Sequence, residues 1–171
     1  MDSYLITGGG RSGKSRHALT LAKSARAPFY IATGWAGDEE MADRIEKHRK
    51  ERGPHWTTIE ERFELAEALL SARKQRADFI VVDCLTLWVS NMLFGKKDEF
   101  ENKFQKLIAT IPLIEAPLVF VSNEVGSGIV PGDPVSREFR DLAGFVNQRI
   151  AAAVKNVVLT VAGIPLKIKS Q

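Results

Sequence analysis

Short apolar runs alternate with segments of helical periodicity along the whole chain, a pattern typical of a parallel sheet with helices between its strands. The runs at residues 79–82 and 118–121 contain only apolar residues, as expected for strands that are covered on both faces. We predict five strands, at residues 4–7, 28–33, 78–83, 117–122 and 157–162. The fold class that this alternation indicates is α/β.

The segments between these strands place apolar residues at helical spacing. We predict helices at residues 14–25, 39–52, 63–74, 85–94 and 100–111, and a sixth that begins at Asp133-Pro134. In the third of these helices we expect Leu65, Leu69 and Leu70 to face the core. The sequence contains no internal repeat, low-complexity stretch or interdomain linker, so we expect residues 1–171 to form one domain.

The first predicted strand leads directly into a glycine-rich motif, G-x-x-x-x-G-K-[ST], which matches at every fixed position. The motif consists of Gly8, Gly9, Gly10, Arg11, Ser12, Gly13, Lys14 and Ser15. Such a loop turns its backbone N–H groups towards phosphate oxygens, and the following helix adds its positive N-terminal end. We expect Lys14 to reach the β- and γ-phosphates of a nucleotide and the Ser15 hydroxyl to bind Mg²⁺.

A second element supports this interpretation. The apolar run at residues 79–82 ends at Asp83, which is the usual form of the Walker B strand whose carboxylate holds Mg²⁺. Many strands end in Asp, so the element gains its meaning from the P-loop in the same chain. Together they predict a P-loop NTPase of RecA-like type, a three-layer sandwich with a mostly parallel central sheet flanked by helices.

Composition and charge narrow the class of protein further. The 171 residues are 44% hydrophobic and 26% charged, as in ordinary soluble globular proteins. The net charge of +3 suits anionic ligands but gives no argument for nucleic acid. Cys84 is the only cysteine, which excludes an intrachain disulfide and a multi-cysteine zinc site. No apolar run reaches about 18 residues and no signal peptide is recognisable, so we expect a cytoplasmic protein without membrane insertion.

His48 lies in the second predicted helix among basic residues, with Arg44, Lys47, Arg49 and Arg52 close by in sequence. Clustered cations favour the neutral, nucleophilic form of imidazole and can also neutralise phosphate charge. A surface histidine on a solvated basic helix explains the same residues. From the pattern alone, that simpler interpretation is favoured.

Five motifs extend over almost the whole chain. They read G-G-x-R-S-G-K-S-R-H, Y-I-A-T, R-I-x-x-H-x-x-x-R-x-x-x-W-x-T-x-E, S-N-E-V-G-x-G-I-V-P and F-R-D-x-A-G-x-V-N-Q-R-I-A. Together they resemble the bifunctional adenosylcobinamide kinase / adenosylcobinamide-phosphate guanylyltransferases of cobalamin biosynthesis. The last two motifs are much more specific than the P-loop.

The resemblance implies two successive reactions. Family members phosphorylate the hydroxyl of the aminopropanol arm of adenosylcobinamide with ATP or GTP, and then transfer GMP from GTP to that phosphate through a histidine–GMP intermediate. Adenosylcobinamide and its phosphate are thus the implied partners, with GTP and ATP as substrates, Mg²⁺ as cofactor and a homotrimer as the assembly. Two alternatives are a P-loop kinase of a small molecule without the guanylyl step, and a nucleotide-binding module without transferase activity.

The resemblance also assigns roles to residues. His48 is the implied nucleophile, where some relatives have a His-His pair and this chain has Lys47-His48, and Lys14 is the second catalytic residue. Besides the P-loop, the implied nucleotide contacts are Thr33, Gly34, Trp35, Arg49, Lys50, Glu51, Arg52, Glu60 and Asp83. Ser15 and Asp83 are the implied metal ligands.

The segment at residues 122–131 follows a core strand and is rich in turn residues. Loops at the carboxyl ends of parallel strands border the binding crevice of such sheets, so Asn123 and Glu124 are candidate polar contacts. A structural turn is the alternative. For the corrinoid, Trp35, Trp88 and Phe94 are the only aromatic candidates, and packing in the core is the prediction for each.

Overall fold

A seven-stranded sheet is the framework of the computed structural model, which describes residues 2–35, 37, 39, 43, 46, 49, 50 and 52–170. Its strands are β1 (Ser3–Thr7), β2 (Pro28–Ala32), β3 (Thr57–Glu60), β4 (Phe79–Asp83), β5 (Leu118–Val121), β6 (Asn156–Val161) and β7 (Ile164–Lys169). They are ordered β3-β2-β4-β5-β1-β6-β7. All neighbouring pairs are parallel except β6 and β7, which form an antiparallel pair at one edge.

The five predicted strands are confirmed, each within one residue at either end. The two edge strands, β3 and β7, were not predicted from the sequence. Strand β3 has the sequence TTIE and no fully buried residue, while β7 contains Pro165 and alternates apolar residues with lysines. Edge strands need less burial than central ones and tolerate proline, so their apolar signal is weak.

Five described helices connect the strands: α1 (Lys14–Leu21), α2 (Leu65–Lys74), α3 (Leu85–Gly95), α4 (Phe100–Thr110) and α5 (Pro134–Ala153). Helix α1 ends earlier than predicted, and its chain continues in turns to residue 25. The predicted cap of α5 is confirmed, because the Asp133 carboxylate accepts a hydrogen bond from the Ser136 N–H at 2.8 Å. Within the predicted helix at 39–52, the described residues are helical and the others lie outside the described ranges.

Helices cover both faces of the sheet. Helix α1 packs Ala18 on one face, while α2 to α5 pack on the other face around the buried Trp88 and Phe104. This arrangement confirms the predicted three-layer α/β sandwich. Among the residues that the structure describes, no helix combines the length and apolarity needed to cross a membrane.

Three packing predictions were wrong. Leu65 and Leu69 are buried as expected, but Leu70 is 40% exposed, because it is turned about 100° around α2 from Leu69. Trp88 packs in the core as predicted, whereas Trp35 and Phe94 are 59% and 69% exposed. Trp35 lies three residues beyond the end of β2, and Phe94 is the penultimate residue of α3, so each lies where the apolar pattern of its element stops.

Candidate nucleotide site

The glycine-rich loop connects the carboxyl end of β1 to the first turn of α1. Its backbone has positive φ angles at Gly8, Arg11 and Gly13. Neighbouring segments fix the loop from two sides. The Gly163 N–H donates to the Ser12 carbonyl at 2.9 Å, and the Glu124 N–H donates to the Gly8 carbonyl at 2.9 Å. The loop is therefore held in its curved shape by β6–β7 and by the segment after β5.

Lys14 lies at the centre of this loop and is only 7% exposed. Its Nζ donates hydrogen bonds to the carbonyl oxygens of Gly8 at 2.9 Å and Gly9 at 2.5 Å. The charged head is thus directed into the concave side of the loop. A cation in this position can bind the β- and γ-phosphate oxygens of a nucleotide.

A side chain at Gly8 would collide with the neighbouring backbone. The φ of Gly8 is +148°, and a Cβ there would lie 2.3 Å from the backbone oxygen of Thr160. We expect Gly8→Ala to lower the free energy of unfolding by about 2 to 4 kcal/mol, measured by urea denaturation. Gly10→Ala is the matched control, because its Cβ would meet no atom within 4 Å, and its unfolding should change little. Equal destabilisation in both variants would contradict the steric argument.

A cavity of about 1140 Å³ opens beside the loop. Ten residues predicted for the site line it: Arg11, Ser12, Gly13, Lys14, Ser15, Gly34, Arg49, Arg52, Glu60 and Asp83. Arg16, Lys23 and Asp43 add charged groups that the prediction did not include, so that six lining side chains are cationic and three are carboxylates. The excess of cations suits a polyphosphate.

Other predicted contacts lie outside the cavity lining, namely Gly8, Gly9, Gly10, Thr33, Trp35 and Lys50. Thr33 is fully buried, and its hydroxyl both donates to the Cys84 carbonyl and accepts from the Cys84 N–H, so it fixes the chain after β4. Trp35 lies under the Arg62 guanidinium, 4.5 Å from its ring centroid. Lys50 pairs with Glu46 on the surface. His48 and Glu51 lie outside the described residues.

Asp83 ends β4 inside the cavity and contacts Tyr30, which was not among the predicted site residues. The Tyr30 hydroxyl donates a hydrogen bond to Asp83 Oδ2 at 2.7 Å. The Arg52 guanidinium covers the Tyr30 ring, 3.7 Å from its centroid. Burial, and next the negative charge of Asp83, raise the pKa of Tyr30 well above its ordinary value, so the hydroxyl remains a donor.

Ser15 and Asp83 both line the cavity and were predicted to bind Mg²⁺. Mg²⁺ in phosphate-transfer sites usually binds one or two protein oxygens, with phosphate oxygens and waters completing its six ligands. A serine hydroxyl and a carboxylate in the same cavity lining as Lys14 are such a donor pair. The residues present therefore fit the ion.

The segment after β5 contributes to the site through Asn123, which lines the cavity. Its N–H is fixed by the Thr86 hydroxyl at 2.7 Å. The Glu124 carboxylate accepts from the N–H groups of Gly126 and Ser127, and hydrogen bonds from Ser127 and Gly126 hold its pKa below the usual range. Glu124 thus stabilises the turn that was the alternative to a ligand contact.

Four further residues of the cavity lining could have been predicted from their spacing in the sequence. Arg16, Leu19, Thr20 and Lys23 follow the P-loop at spacings of three and four residues, which places them on one side of a helix. All four line the cavity. A helix that begins at a P-loop necessarily borders its ligand, so this spacing was informative.

The sheet topology and the glycine-rich loop place the chain in the P-loop NTPase fold class. A family model described as cobinamide kinase / cobinamide phosphate guanyltransferase matches residues 4–168. The chain is 44% identical to the bifunctional adenosylcobalamin biosynthesis protein CobU of Escherichia coli strain K12, over 96% of this chain and 98% of that protein. It is 42% identical to the bifunctional adenosylcobalamin biosynthesis protein CobP of Pseudomonas aeruginosa, over 98% and 97% of the two chains. The chain therefore belongs to the cobinamide kinase / cobinamide phosphate guanyltransferase family, which confirms the resemblance found in its motifs.

Solved structures support the fold independently. A KaiC-like protein from Pyrococcus horikoshii superposes with a TM-score of 0.51 at 13% identity, covering 92% of this chain and 70% of that one. An ATPase of a bacterial type III secretion system superposes with a TM-score of 0.56 at 11% identity, covering 97% and 56%. At these identities the likeness shows the fold alone, and it confirms the predicted P-loop NTPase architecture.

Proposed function

We propose that this chain phosphorylates adenosylcobinamide with ATP or GTP and then transfers GMP from GTP to the product, giving adenosylcobinamide-GDP. Membership of the family supports both reactions. One observation in the structure of this chain supports the proposal. Arg49, the residue that follows His48, lines the same cavity as Lys14, Ser15 and Asp83. Arg49 thus lies in one cavity with the groups proposed to bind phosphate, which supports a role in the same site for the neighbouring His48.

In the kinase step the substrate hydroxyl attacks the γ-phosphorus, and the nucleoside diphosphate leaves. Lys14 stabilises the charge that develops on the phosphate oxygens, and Ser15 and Asp83 would hold Mg²⁺, which neutralises that charge further. The curved backbone of the P-loop orients the β-phosphate. Catalysis in this step consists of positioning and electrostatic stabilisation.

In the guanylyl step the bond between the α-phosphorus and the bridging oxygen to the β-phosphorus breaks. The imidazole of His48 attacks the α-phosphorus, pyrophosphate leaves, and the phosphate of the cobinamide then displaces the histidine. A P-loop that binds the β- and γ-phosphates holds the leaving group in this step. Arg49 and Arg52 lie in the cavity, where they can neutralise the charge of the triphosphate.

We extend the proposal to the remaining predicted contacts. The backbone of residues 8–13 with Arg11, together with Gly34, Trp35, Lys50, Glu51 and Glu60, would contact the nucleotide, while the buried Thr33 would support the site from behind through its bonds to Cys84. We also infer that residues 1–171 act as one transferase domain, since β1 and β6 are neighbours in the sheet although they lie near opposite ends of the chain. A cytoplasmic location is part of the proposal, because GTP and ATP are its substrates.

The proposal is tested with purified protein, Mg²⁺ and GTP labelled at the α-phosphate. We expect acid-labile covalent label and a mass increase equal to one GMP residue, followed by transfer of the label to adenosylcobinamide phosphate. Tight GTP binding with phosphorylation of adenosylcobinamide but no covalent label would indicate a kinase alone. Nucleotide binding without either transfer would indicate a binding module.

We further propose that the protein is a homotrimer, as the resemblance implies. The edge strand β7 supports self-association because Ile164, Leu166 and Ile168 are 59–70% exposed. Burial of such side chains between copies is favourable. We expect sedimentation to show a trimer, and the double variant Leu166→Lys/Ile168→Lys to sediment as a monomer. Lys167→Ala, on the opposite face of the strand, is the control, and a trimer in all three proteins would place the contact elsewhere.

A further inference from the structure

Tyr30 and Asp83 are brought together by the pairing of two central strands. In the parallel register of β2 and β4, Tyr30 lies opposite Val81 and Ala32 lies opposite Asp83. Tyr30 and Asp83 therefore point to the same face and are offset by two residues, about 6.6 Å along the strands. A tyrosine side chain has the length to cover that offset, and its hydroxyl lies 2.7 Å from Asp83 Oδ2.

The ring of Tyr30 is itself held in place. The Arg52 guanidinium lies 3.7 Å from its centroid, and Trp56 meets it edge-on, with ring centroids 6.1 Å apart. Tyr30 is 4% exposed and packs with Phe79 and Val81 below the cavity. With its ring contacted on a face and an edge, the hydroxyl has a fixed position relative to β4.

We propose that Tyr30 is a positioning residue for the metal site, whose hydroxyl holds one oxygen of the Asp83 carboxylate so that the other is presented to Mg²⁺. This inference rests on the proposed role of Asp83 as a metal ligand. Partners of this kind orient a ligand before the ion arrives, and their loss typically weakens metal binding 10- to 100-fold. Tyr30 acts through Asp83 and has no contact with substrate in this assignment.

Tyr30→Phe is the direct test, because phenylalanine keeps the ring contacts with Arg52 and Trp56 and removes only the hydroxyl. Mn²⁺ replaces Mg²⁺ as a spectroscopic probe, and its binding to the complex of the protein with guanosine 5′-[α,β-methylene]triphosphate is followed by EPR. We expect the dissociation constant for Mn²⁺ to rise about 10-fold or more. In kinase assays the metal concentration for half-maximal rate should rise similarly, while kcat at saturating metal stays near that of the wild type.

Tyr4→Phe is the matched control. Tyr4 is the only other tyrosine, packs on the same face of the sheet and lies outside the cavity lining. Its Mn²⁺ affinity should equal that of the wild type. Thermal unfolding of the metal-free variants shows whether Tyr30→Phe is folded, and the Mn²⁺ titrations of all variants are made at one temperature below the lowest unfolding midpoint.

Asp83→Asn tests the proposed metal role of Asp83 separately from the positioning role of Tyr30. If Asp83→Asn weakens Mn²⁺ binding and folded Tyr30→Phe does not, the positioning role of Tyr30 is wrong and the metal role of Asp83 stands. If neither variant changes Mn²⁺ affinity, the proposed metal role of Asp83 is itself wrong. Weaker binding in Asp83→Asn and Tyr30→Phe, with normal binding in Tyr4→Phe, supports the proposal.

Discussion

Replacement of His48 by alanine is expected to abolish covalent labelling of the protein by GTP, with a fall of about 1000-fold or more in guanylyl transfer. The proposed intermediate is a bond between the imidazole and the α-phosphorus, and alanine offers no atom that can form it. Phosphorylation of adenosylcobinamide requires no protein nucleophile, so its rate should stay within about threefold of the wild type. We therefore expect His48→Ala to lose guanylyl transfer and to keep phosphorylation of adenosylcobinamide.

The chain offers its own control for this experiment. It contains three histidines, and His55 lies only seven residues after His48 in an exposed position against Trp56. His55→Ala should therefore keep both the label and its transfer to the acceptor. If label persists in His48→Ala and disappears in His55→Ala, the nucleophile has been assigned to the wrong histidine. If the label is unchanged in both variants, another residue is the nucleophile.

Most of the fold and the P-loop part of the candidate site could be predicted from the sequence because these features are local. The P-loop is eight consecutive residues in which glycine, lysine and serine each have a conformational or chemical reason for their position. The central strands are continuously apolar because helices bury both of their faces. Edge strands β3 and β7 lack that burial, and their residues give no such signal.

The contact between Tyr30 and Asp83 could not be predicted in the same way. The two residues are 53 positions apart, and their contact depends on the order and register of β2 and β4. The hydrophobic pattern predicts that the strands exist, but it does not predict their order or their register. Thr33 is a similar case: it was expected to contact nucleotide, and its hydroxyl bonds twice to Cys84 across the same pair of strands.

The motif of His48 is visible in the sequence, but its residues alone do not decide the role of His48. Its basic surroundings fit a solvated helix as well as a catalytic one, and only the longer spacing to Arg52, Trp56 and Glu60 matches the family. The structure adds that Arg52 is 8% exposed and stacked on Tyr30. Arg52 is therefore not part of a solvated face. The other described residues of this helix are exposed, namely Glu39, Asp43, Glu46, Arg49 and Lys50, so the role of His48 stays a prediction.

Lys14→Met is expected to reduce both reactions about 100- to 1000-fold, in contrast to the selective loss in His48→Ala. Lys14 would stabilise the γ-phosphoryl group in the kinase step and the departing pyrophosphate in the guanylyl step. The same cation would therefore assist the bond breaking in both reactions. Methionine fills similar space without the charge. The measurements are initial rates of adenosylcobinamide phosphorylation and of GMP labelling at saturating GTP and Mg²⁺.

Two comparisons show whether the loss comes from the charge near the phosphates. Lys74→Ala removes an exposed lysine at the end of α2, away from the cavity, and should leave both rates unchanged. The unfolding of Lys14→Met must be measured as well, because the lysine donates to the Gly8 and Gly9 carbonyls and its removal leaves those acceptors without this donor. If folded Lys14→Met loses phosphorylation but forms the GMP adduct at a rate within about tenfold of the wild type, the P-loop does not hold the leaving pyrophosphate. The guanylyl step would then use a different orientation of GTP in the cavity, with its phosphates near Arg49 and Arg52, the two lining cations that follow the proposed nucleophile in the sequence.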